Sequence, residues 1–205
     1  MLGALNCPFG TVHMGVTAEN VANEYNISRE VQDSFSLESQ RRAFSAIEKG
    51  YFKEQIVDIE IKKNIFNVDE HPKNTDLESL KSLKSVFIEK GTVTAGNSSG
   101  LNDGAAALVL STAAAAGSNG LKVKAKILGY SHSGVRPEVM GIGPIIAVKK
   151  LFDKTSLCEK DFDVIESNEA FAAQACAVSK ELKLNPKKVN PNGGAIALGH
   201  PIGAT

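Results

Sequence analysis

The first fifty residues place apolar and polar side chains with the period of an α-helix. Thr17 can cap a helix over residues 18–25, and Ser28 can cap a longer one that ends near Gly50. Apolar residues recur along one side of the second helix, opposite a polar side. The polar run at 40–42, Gln-Arg-Arg, is interpreted as a solvated face.

After residue 56 the pattern changes to that of β-structure. Apolar and charged residues alternate over 57–61, which predicts a half-exposed strand. Residues 62–90 are lysine-rich and irregular, with a short helical signal at 76–83, and we interpret them as an excursion from the core. A run of small and apolar residues at 104–110 predicts a buried strand, and alternation over 123–127 predicts another half-exposed strand.

The second half alternates predicted strands with predicted helices, which indicates an α/β layered architecture. Pro144 suits the first turn of a helix that runs through Lys150. A short strand over 163–166 leads into an alanine-rich helix, so that Asn168 stands at a strand-to-helix junction. That asparagine is either an N-cap or an amide aimed at a ligand.

Composition excludes several classes of function. Lys plus Arg and Asp plus Glu are equal at 23 each, so no net field attracts nucleic acid or an anionic membrane. No apolar run reaches membrane-spanning length. The three cysteines are odd in number and far apart, which argues against a disulfide framework and against a zinc site. A reducing intracellular compartment is the default expectation.

The segment 189–205 is rich in glycine and proline and surrounds one histidine, His200. Such a segment cannot be a regular helix or strand throughout, because glycine permits positive φ and proline fixes φ and lacks a donor. It is typical of a shaped loop that presents an imidazole, which can act as a general base or hydrogen-bond donor near neutral pH. A surface turn with an incidental histidine is the alternative.

Four segments together resemble the thiolase family. They are His-Met-Gly-Val-Thr-Ala-Glu-Asn-Val-Ala at 13–22, the Gly/Asn/Ser-rich stretch at 91–105, Asn-Glu-Ala-Phe at 168–171, and Gly-His-Pro at 199–201. They occur in the order that the family has them. The resemblance implies an incomplete α/β thiolase-like layered fold, made of the loop domain and most of the carboxyl-terminal αβαβα half.

The same resemblance divides the chain into two parts. Residues 1–120 would form the end of the amino-terminal thiolase domain, with the loop-domain excursion at about 15–90. Residues 121–205 would form a truncated carboxyl-terminal domain.

The family's reaction is a CoA-dependent acyl transfer. It joins two acetyl-CoA units into acetoacetyl-CoA, or runs the reverse thiolytic cleavage of a 3-ketoacyl-CoA. His200 matches the histidine that activates the nucleophilic thiol and donates to the thioester oxygen, and Asn168 matches the asparagine that holds a catalytic water in the same oxyanion hole.

Further positions match the channel for the acyl group and pantetheine arm. Ser99 matches a serine that contacts pantetheine, and the other matching positions are Ala95, His13, Met14, Met140 and Phe171. Lys73 stands where the family often has a basic residue near the nucleotide. The resemblance thus implies CoA thioesters as substrates, with no permanently bound cofactor and no metal.

The chain departs from the family in its thiols. None of Cys7, Cys158 and Cys176 lies in the context of either catalytic cysteine. We therefore expect an internal fragment that is inactive alone and poorly soluble. Two hypotheses remain open: part of a working acetyl-CoA acetyltransferase, or a non-catalytic remnant that binds CoA or associates with intact subunits. The family implies a homo-oligomer, dimer or tetramer, at full length, and the cytoplasm is the expected location, with mitochondria and peroxisomes as alternatives.

Overall fold

Most of the regular structure in the computed structural model, which describes residues 2–205, is helical. The α-helices are α1 (Met14–Glu24), α2 (Arg29–Glu48), α3 (Leu77–Ser82), α4 (Ala113–Ser118), α5 (Gly143–Thr155), α6 (Ala172–Glu181) and α7 (Ala195–Leu198). The 3₁₀ turns are Leu2–Leu5, Pro137–Ile142 and Glu159–Asp161. The strands are β1 (Ile59–Ile61) and β2 (Asn64–Phe66). None of the helices in this described part is both long and apolar enough to cross a membrane.

Helix α6 is the centre of the packing, because its alanines let other helices approach closely. Ala172, Ala173 and Ala177 are fully buried, and α6 contacts α1, α2, α5 and the turn at 137–142. Val21, Ile27, Val139 and Ala177 form one apolar cluster. Ile145, Val178 and Leu182 form a second cluster beside it.

One of the two predicted helix caps is confirmed. The Ser28 hydroxyl accepts from the backbone N–H of Val31 at 3.4 Å, at the start of α2. The short helical signal at 76–83 forms α3, and there the Asp76 carboxylate supplies a cap that was not predicted, accepting from Ser79 N at 2.7 Å.

The Thr17 cap is wrong, because α1 begins four residues earlier than the predicted helix. His13 caps α1 instead, accepting from Gly15 N through its ring Nδ1 at 3.0 Å. Inside the helix, the Thr17 hydroxyl donates to the carbonyl oxygen of Met14 at 2.7 Å.

The strand predicted over 57–61 survives as β1, which pairs with β2 in an antiparallel hairpin. Ile59 lies opposite Phe66 and Ile61 opposite Asn64. The turn residues Lys62 and Lys63 have φ of 49° and 72°, the left-handed region that tight hairpin turns require.

The strands predicted at 104–110 and 123–127 are wrong for this structure. Both segments are irregular and exposed; Leu108 is 88% exposed and Val109 is 90% exposed. The strand predicted at 163–166 is reduced to one parallel bridge between Ile165 and Val189. A strand needs a neighbouring strand to satisfy its backbone groups, and residues 2–205 place no such neighbour beside the first two segments.

Candidate active site

Contacts with α2 fix the loop that carries His200. The Arg42 guanidinium donates to the carbonyl oxygens of Val189 at 2.6 Å, Pro186 at 3.0 Å and Asn190 at 3.3 Å. Gly193 then turns the chain with φ of +85° directly against α2. Helix α7 follows, and His200 comes two residues after it.

The solvated face predicted at 40–42 is therefore wrong for two of its three residues. Arg42 holds the carbonyls of the His200-bearing loop, as described above. Gln40 is only 7% exposed; it donates to Ile196 O in α7 at 3.3 Å and accepts from Lys73 N at 2.8 Å. Arg41 does face solvent, where it pairs with Glu38 at 2.7 Å.

Asn168 is not an N-cap. The helix that follows it begins at Ala172, with Phe171 as its first flanking residue. The backbone carbonyl of Asn168 accepts from the Gln174 side chain at 3.1 Å. This leaves the Asn168 amide free to face His200, and its Nδ2 lies 3.3 Å from His200 Nε2.

His200 is oriented by contacts on its backbone and on its ring. Its backbone N–H donates to Asn102 Oδ1 at 3.0 Å, and Nδ1 lies 3.0 Å from Thr205 Oγ1. Burial lowers the pKa of the imidazole below its ordinary value of 6.5, so the ring is neutral at pH 7. A neutral imidazole carries one N–H, and which nitrogen carries it depends on the contact at the other.

The contact between Asn168 and His200 lies on the wall of a cavity of about 1020 Å³. All of the other predicted site residues line the same cavity: His13, Met14, Ala95, Ser99, Met140 and Phe171. Lys73 also lines it. The structure thus brings together residues that are up to 187 positions apart in the sequence, from His13 to His200. Their individual roles remain predictions.

Phe87 is a cavity residue that the sequence analysis missed. Its ring stacks on His13 with 4.6 Å between centroids and meets Phe171 edge-on at 6.1 Å. Since Phe87 belongs to the irregular 62–90 excursion, this contact docks the excursion onto the start of α1. No sequence pattern pointed to it, because an isolated phenylalanine in an irregular segment carries no periodic signal.

His71 ties the excursion to the His200-bearing loop. Its Nδ1 lies 2.8 Å from the carbonyl oxygen of Ala197, so that nitrogen must carry the proton. Together with the bridge made by Gln40, this contact holds residues 71–73 against α7. His71 and Gln40 both line the cavity as well.

No cysteine lies among the residues that line the described cavity. Cys7 is buried and Cys158 is exposed. Cys176 lies inside α6, where burial raises the pKa of its thiol to about 12, with a smaller contribution from the charge of Glu169. A thiol with that pKa is neutral and unreactive at pH 7. Within residues 2–205 no cluster of histidine, cysteine and carboxylate side chains could hold a metal ion.

The geometry supports one kind of chemistry best. A neutral imidazole and a carboxamide point at the same place in a mainly apolar cavity, where hydrogen-bond donors stabilise developing negative charge on an oxygen far better than in water. A carbonyl substrate bound there would be polarised for addition or enolate formation.

Comparison with known protein families identifies the family of the chain. Residues 1–114 match the profile of the thiolase N-terminal domain, and residues 121–205 match that of the thiolase C-terminal domain. The chain therefore belongs to the thiolase family.

Individual relatives make the similarity more specific. The chain is 56% identical to the beta-ketothiolase BktB of Cupriavidus necator, over all of this chain and 54% of that protein. It is 52% identical to the acetyl-CoA acetyltransferase of Escherichia coli, over 98% of this chain and 52% of that protein. The chain thus spans about half the length of the curated relatives it matches.

Solved structures confirm the predicted α/β thiolase-like fold. The Bacillus anthracis acetyl-CoA acetyltransferase superimposes with a TM-score of 0.92 at 50% identity, over 98% of this chain and 52% of that one. Human mitochondrial 3-ketoacyl-CoA thiolase in complex with CoA superimposes with a TM-score of 0.89 at 41% identity, over 98% of this chain and 51% of that one.

Proposed function

We propose that the cavity binds a CoA thioester with its carbonyl oxygen between His200 and Asn168, as part of a thiolase-type acyltransferase. The reaction would condense two acetyl-CoA into acetoacetyl-CoA, or run the reverse thiolytic cleavage of a 3-ketoacyl-CoA. The observation that carries the proposal is the 3.3 Å approach of Asn168 Nδ2 to His200 Nε2 on the wall of the large cavity.

The size and lining of the cavity suit such a ligand. Its volume of about 1020 Å³ is at the upper end for small-molecule sites, which leaves room for a large ligand. Met14, Phe87 and Phe171 offer apolar surface to an acyl group or to the methylenes of pantetheine. Lys73 adds a positive charge for a phosphate, and this attraction is local because the chain has no net charge.

The Thr205 hydroxyl is coupled to the tautomer of His200, and therefore to whether Nε2 is a donor or an acceptor. It lies 3.0 Å from His200 Nδ1 and 3.2 Å from the carbonyl oxygen of Pro201, and it has a single proton. When the hydroxyl donates to Pro201, it accepts from Nδ1–H, and Nε2 is an acceptor. When it donates to Nδ1 instead, Nε2 carries the proton and can donate to a thioester oxygen alongside the Asn168 amide.

Acyl transfer also requires a thiolate, and none of the described cysteines lines the cavity. In the enzyme hypothesis, another polypeptide segment delivers that thiol to the cavity. The same observation favours a second candidate function, in which the chain binds CoA thioesters without turning them over. Both hypotheses require ligand binding beside His200, so binding is tested first.

The binding test is isothermal titration of the chain with acetyl-CoA and with free CoA. We expect acetyl-CoA to bind, and His200→Ala or Asn168→Ala to weaken binding by about three- to tenfold, the value of one hydrogen bond. His132→Ala is the matched control, since His132 is exposed and does not line the cavity. Absence of binding to the unmodified chain at millimolar acetyl-CoA would refute the proposal.

The activity test is a chimaera in which this chain replaces the matching half of the Escherichia coli acetyl-CoA acetyltransferase, to which it is 52% identical. Turnover that disappears on His200→Ala supports the enzyme hypothesis. A folded chimaera that binds acetyl-CoA without turnover supports the binding-only hypothesis.

A further inference from the structure

Glu169 follows the candidate catalytic Asn168 directly, yet its side chain lies in the protein interior and outside the cavity lining. It is 2% exposed. Three donors from three different parts of the chain converge on its carboxylate. They are the Ser39 hydroxyl of α2 at 2.7 Å, the Asn190 amide at 2.8 Å and the backbone N–H of Ile196 in α7 at 3.3 Å.

Two of the three donors to Glu169, Asn190 and Ile196, belong to the segment that carries His200. Asn190 is itself clamped to Ser167, accepting from its N–H at 2.7 Å and donating to its carbonyl oxygen at 2.7 Å. Ser39 also accepts from the N–H of Gly194 at 3.1 Å. A chain of hydrogen bonds therefore connects the segment at 167–169 to the segment at 190–196 through one carboxylate.

Two residues near the Glu169 carboxylate, Gly194 and Asn190, have the residue type or backbone conformation that this contact needs. A side-chain carbon on Gly194 would collide with the Glu169 carboxylate, so only glycine permits the approach. Asn190 adopts a φ of +44°, which directs its amide toward Glu169 and Ser167 at some conformational cost. Burial raises the pKa of Glu169, and the hydrogen bonds from Ser39, Asn190 and Ile196 oppose that rise.

A carboxylate at this point does what an uncharged side chain could not. An ionised carboxylate only accepts hydrogen bonds, and it has enough lone pairs for all three donors. A glutamine of the same shape would turn an N–H₂ group toward at least one of them. An apolar residue would leave the buried N–H of Ile196 without a partner, which costs free energy comparable to a lost hydrogen bond.

We propose that Glu169 is a positioning residue that sets the distance between the Asn168 amide and the His200 imidazole, by joining α2, Asn190 and α7 through one buried carboxylate. That this distance matters for catalysis rests on the proposed function, whereas the effect of Glu169 on the distance does not. Glu169 does not touch the cavity, so it acts only through the two residues that do.

The test measures the Asn168–His200 contact itself by NMR. The chain contains four histidines, so the His200 ring signal can be assigned from its loss in His200→Gln. In the unmodified chain we expect a nuclear Overhauser effect between the Asn168 side-chain amide and the His200 ring. In Glu169→Gln we expect this effect to disappear and the Kd for acetyl-CoA to rise by about tenfold or more.

Two further variants separate positioning from a general loss of stability. Glu166→Gln makes the same chemical change at an exposed carboxylate three residues away, and it should leave the Overhauser effect and the Kd for acetyl-CoA unchanged. Ser39→Ala removes one donor and should weaken the Overhauser effect with a smaller rise in Kd. A merely structural role would lower the midpoint of urea unfolding while the folded molecules keep the contact.

Each outcome decides the inference. Folded Glu169→Gln that retains the Overhauser effect and binds acetyl-CoA within about twofold of the unmodified chain would overturn it. If that variant does not fold, an unchanged contact in Ser39→Ala overturns it and a weakened contact supports it. If the unmodified chain binds no acetyl-CoA, the proposed function fails, and the NMR contact alone still decides the role of Glu169.

Discussion

Gly193 supports the strongest quantitative prediction about the loop that carries His200. Its φ of +85° lies in the left-handed region, and its backbone N–H donates to the carbonyl oxygen of Asn190 at 3.1 Å. A side-chain carbon at this position would lie 2.8 Å from Ala43 Cβ, 2.8 Å from Ser39 O and 2.9 Å from Ala43 N. Two of these three atoms belong to the backbone of α2, which cannot rotate away as a flexible side chain could.

The expected cost of Gly193→Ala follows from three effects. Alanine in the left-handed region costs about 1–2 kcal/mol. The loss of backbone freedom in the unfolded chain stabilises the variant by about 0.4–1 kcal/mol, which offsets about half of that cost. Overpacking against α2 adds about 1–3 kcal/mol and is the largest of the three effects. We expect a net destabilisation of about 2–3 kcal/mol.

Gly203→Ala is the matched control, because this glycine lies in the same segment and has open space around its missing side chain. We expect its effect to stay within about 0.5 kcal/mol. The assay is urea unfolding of both variants followed by circular dichroism, together with the Asn168–His200 contact by NMR. A Gly193→Ala variant as stable as the unmodified chain, with that contact intact, would show that the loop is not held against α2 as described.

Three other predictions use features outside the His200-bearing loop. A hydrogen bond from Arg41 is the main cause that lowers the pKa of Glu38 from 4.5 to about 2, so the stabilisation that Glu38 contributes is lost as pH falls through about 2. Glu38→Gln should therefore cost about 1 kcal/mol at pH 7 after allowance for solvent screening, and it should flatten the acid limb of a stability–pH curve. A thiol reagent at pH 8 should label Cys158 in the native chain and Cys176 only in urea, as mass spectrometry of tryptic peptides would show. Equal labelling rates for the two thiols in the native chain would contradict the raised pKa of Cys176. The exposed segment at 104–110 should bind a hydrophobic dye, measured by fluorescence, and promote self-association, measured by sedimentation. Val109→Lys should reduce both without lowering stability, and a loss of stability would show that Val109 is packed.

Local signals in the sequence were sufficient for most of the α-helices, though not for the start of α1 or for α7, and for part of the site. The cap at Ser28, the short helix at 77–82 and the proline at the start of α5 involve neighbours within a few residues. The motifs at 168–171 and 199–201 were recognised together with the segments at 13–22 and 91–105, from their residue types and their order along the chain. Such interactions are encoded locally, so they can be predicted without knowing what lies across the fold.

The β-strands could not be predicted in the same way. The run at 104–110 has the composition of a buried strand, but whether it forms one depends on a neighbouring strand, and the described residues provide none there. A strand satisfies its backbone through partners that are distant in sequence, whereas a helix satisfies its own. The strand predicted over 57–61 did form, as β1, because its partner β2 follows within three residues; β2 itself lies in a segment that was predicted to be irregular.

The sequence by itself therefore determined which groups could do chemistry: an imidazole in a loop of glycine and proline, and an amide ahead of an alanine-rich helix. Only the tertiary structure decided that these two groups lie 3.3 Å apart. It also turned Gln40 and Arg42 from surface residues into supports of the site, and it placed Phe87 against His13. The physical reason is that a polar side chain in a helix is equally compatible with water and with a buried carbonyl group. Which partner it meets is set by the packing of distant segments.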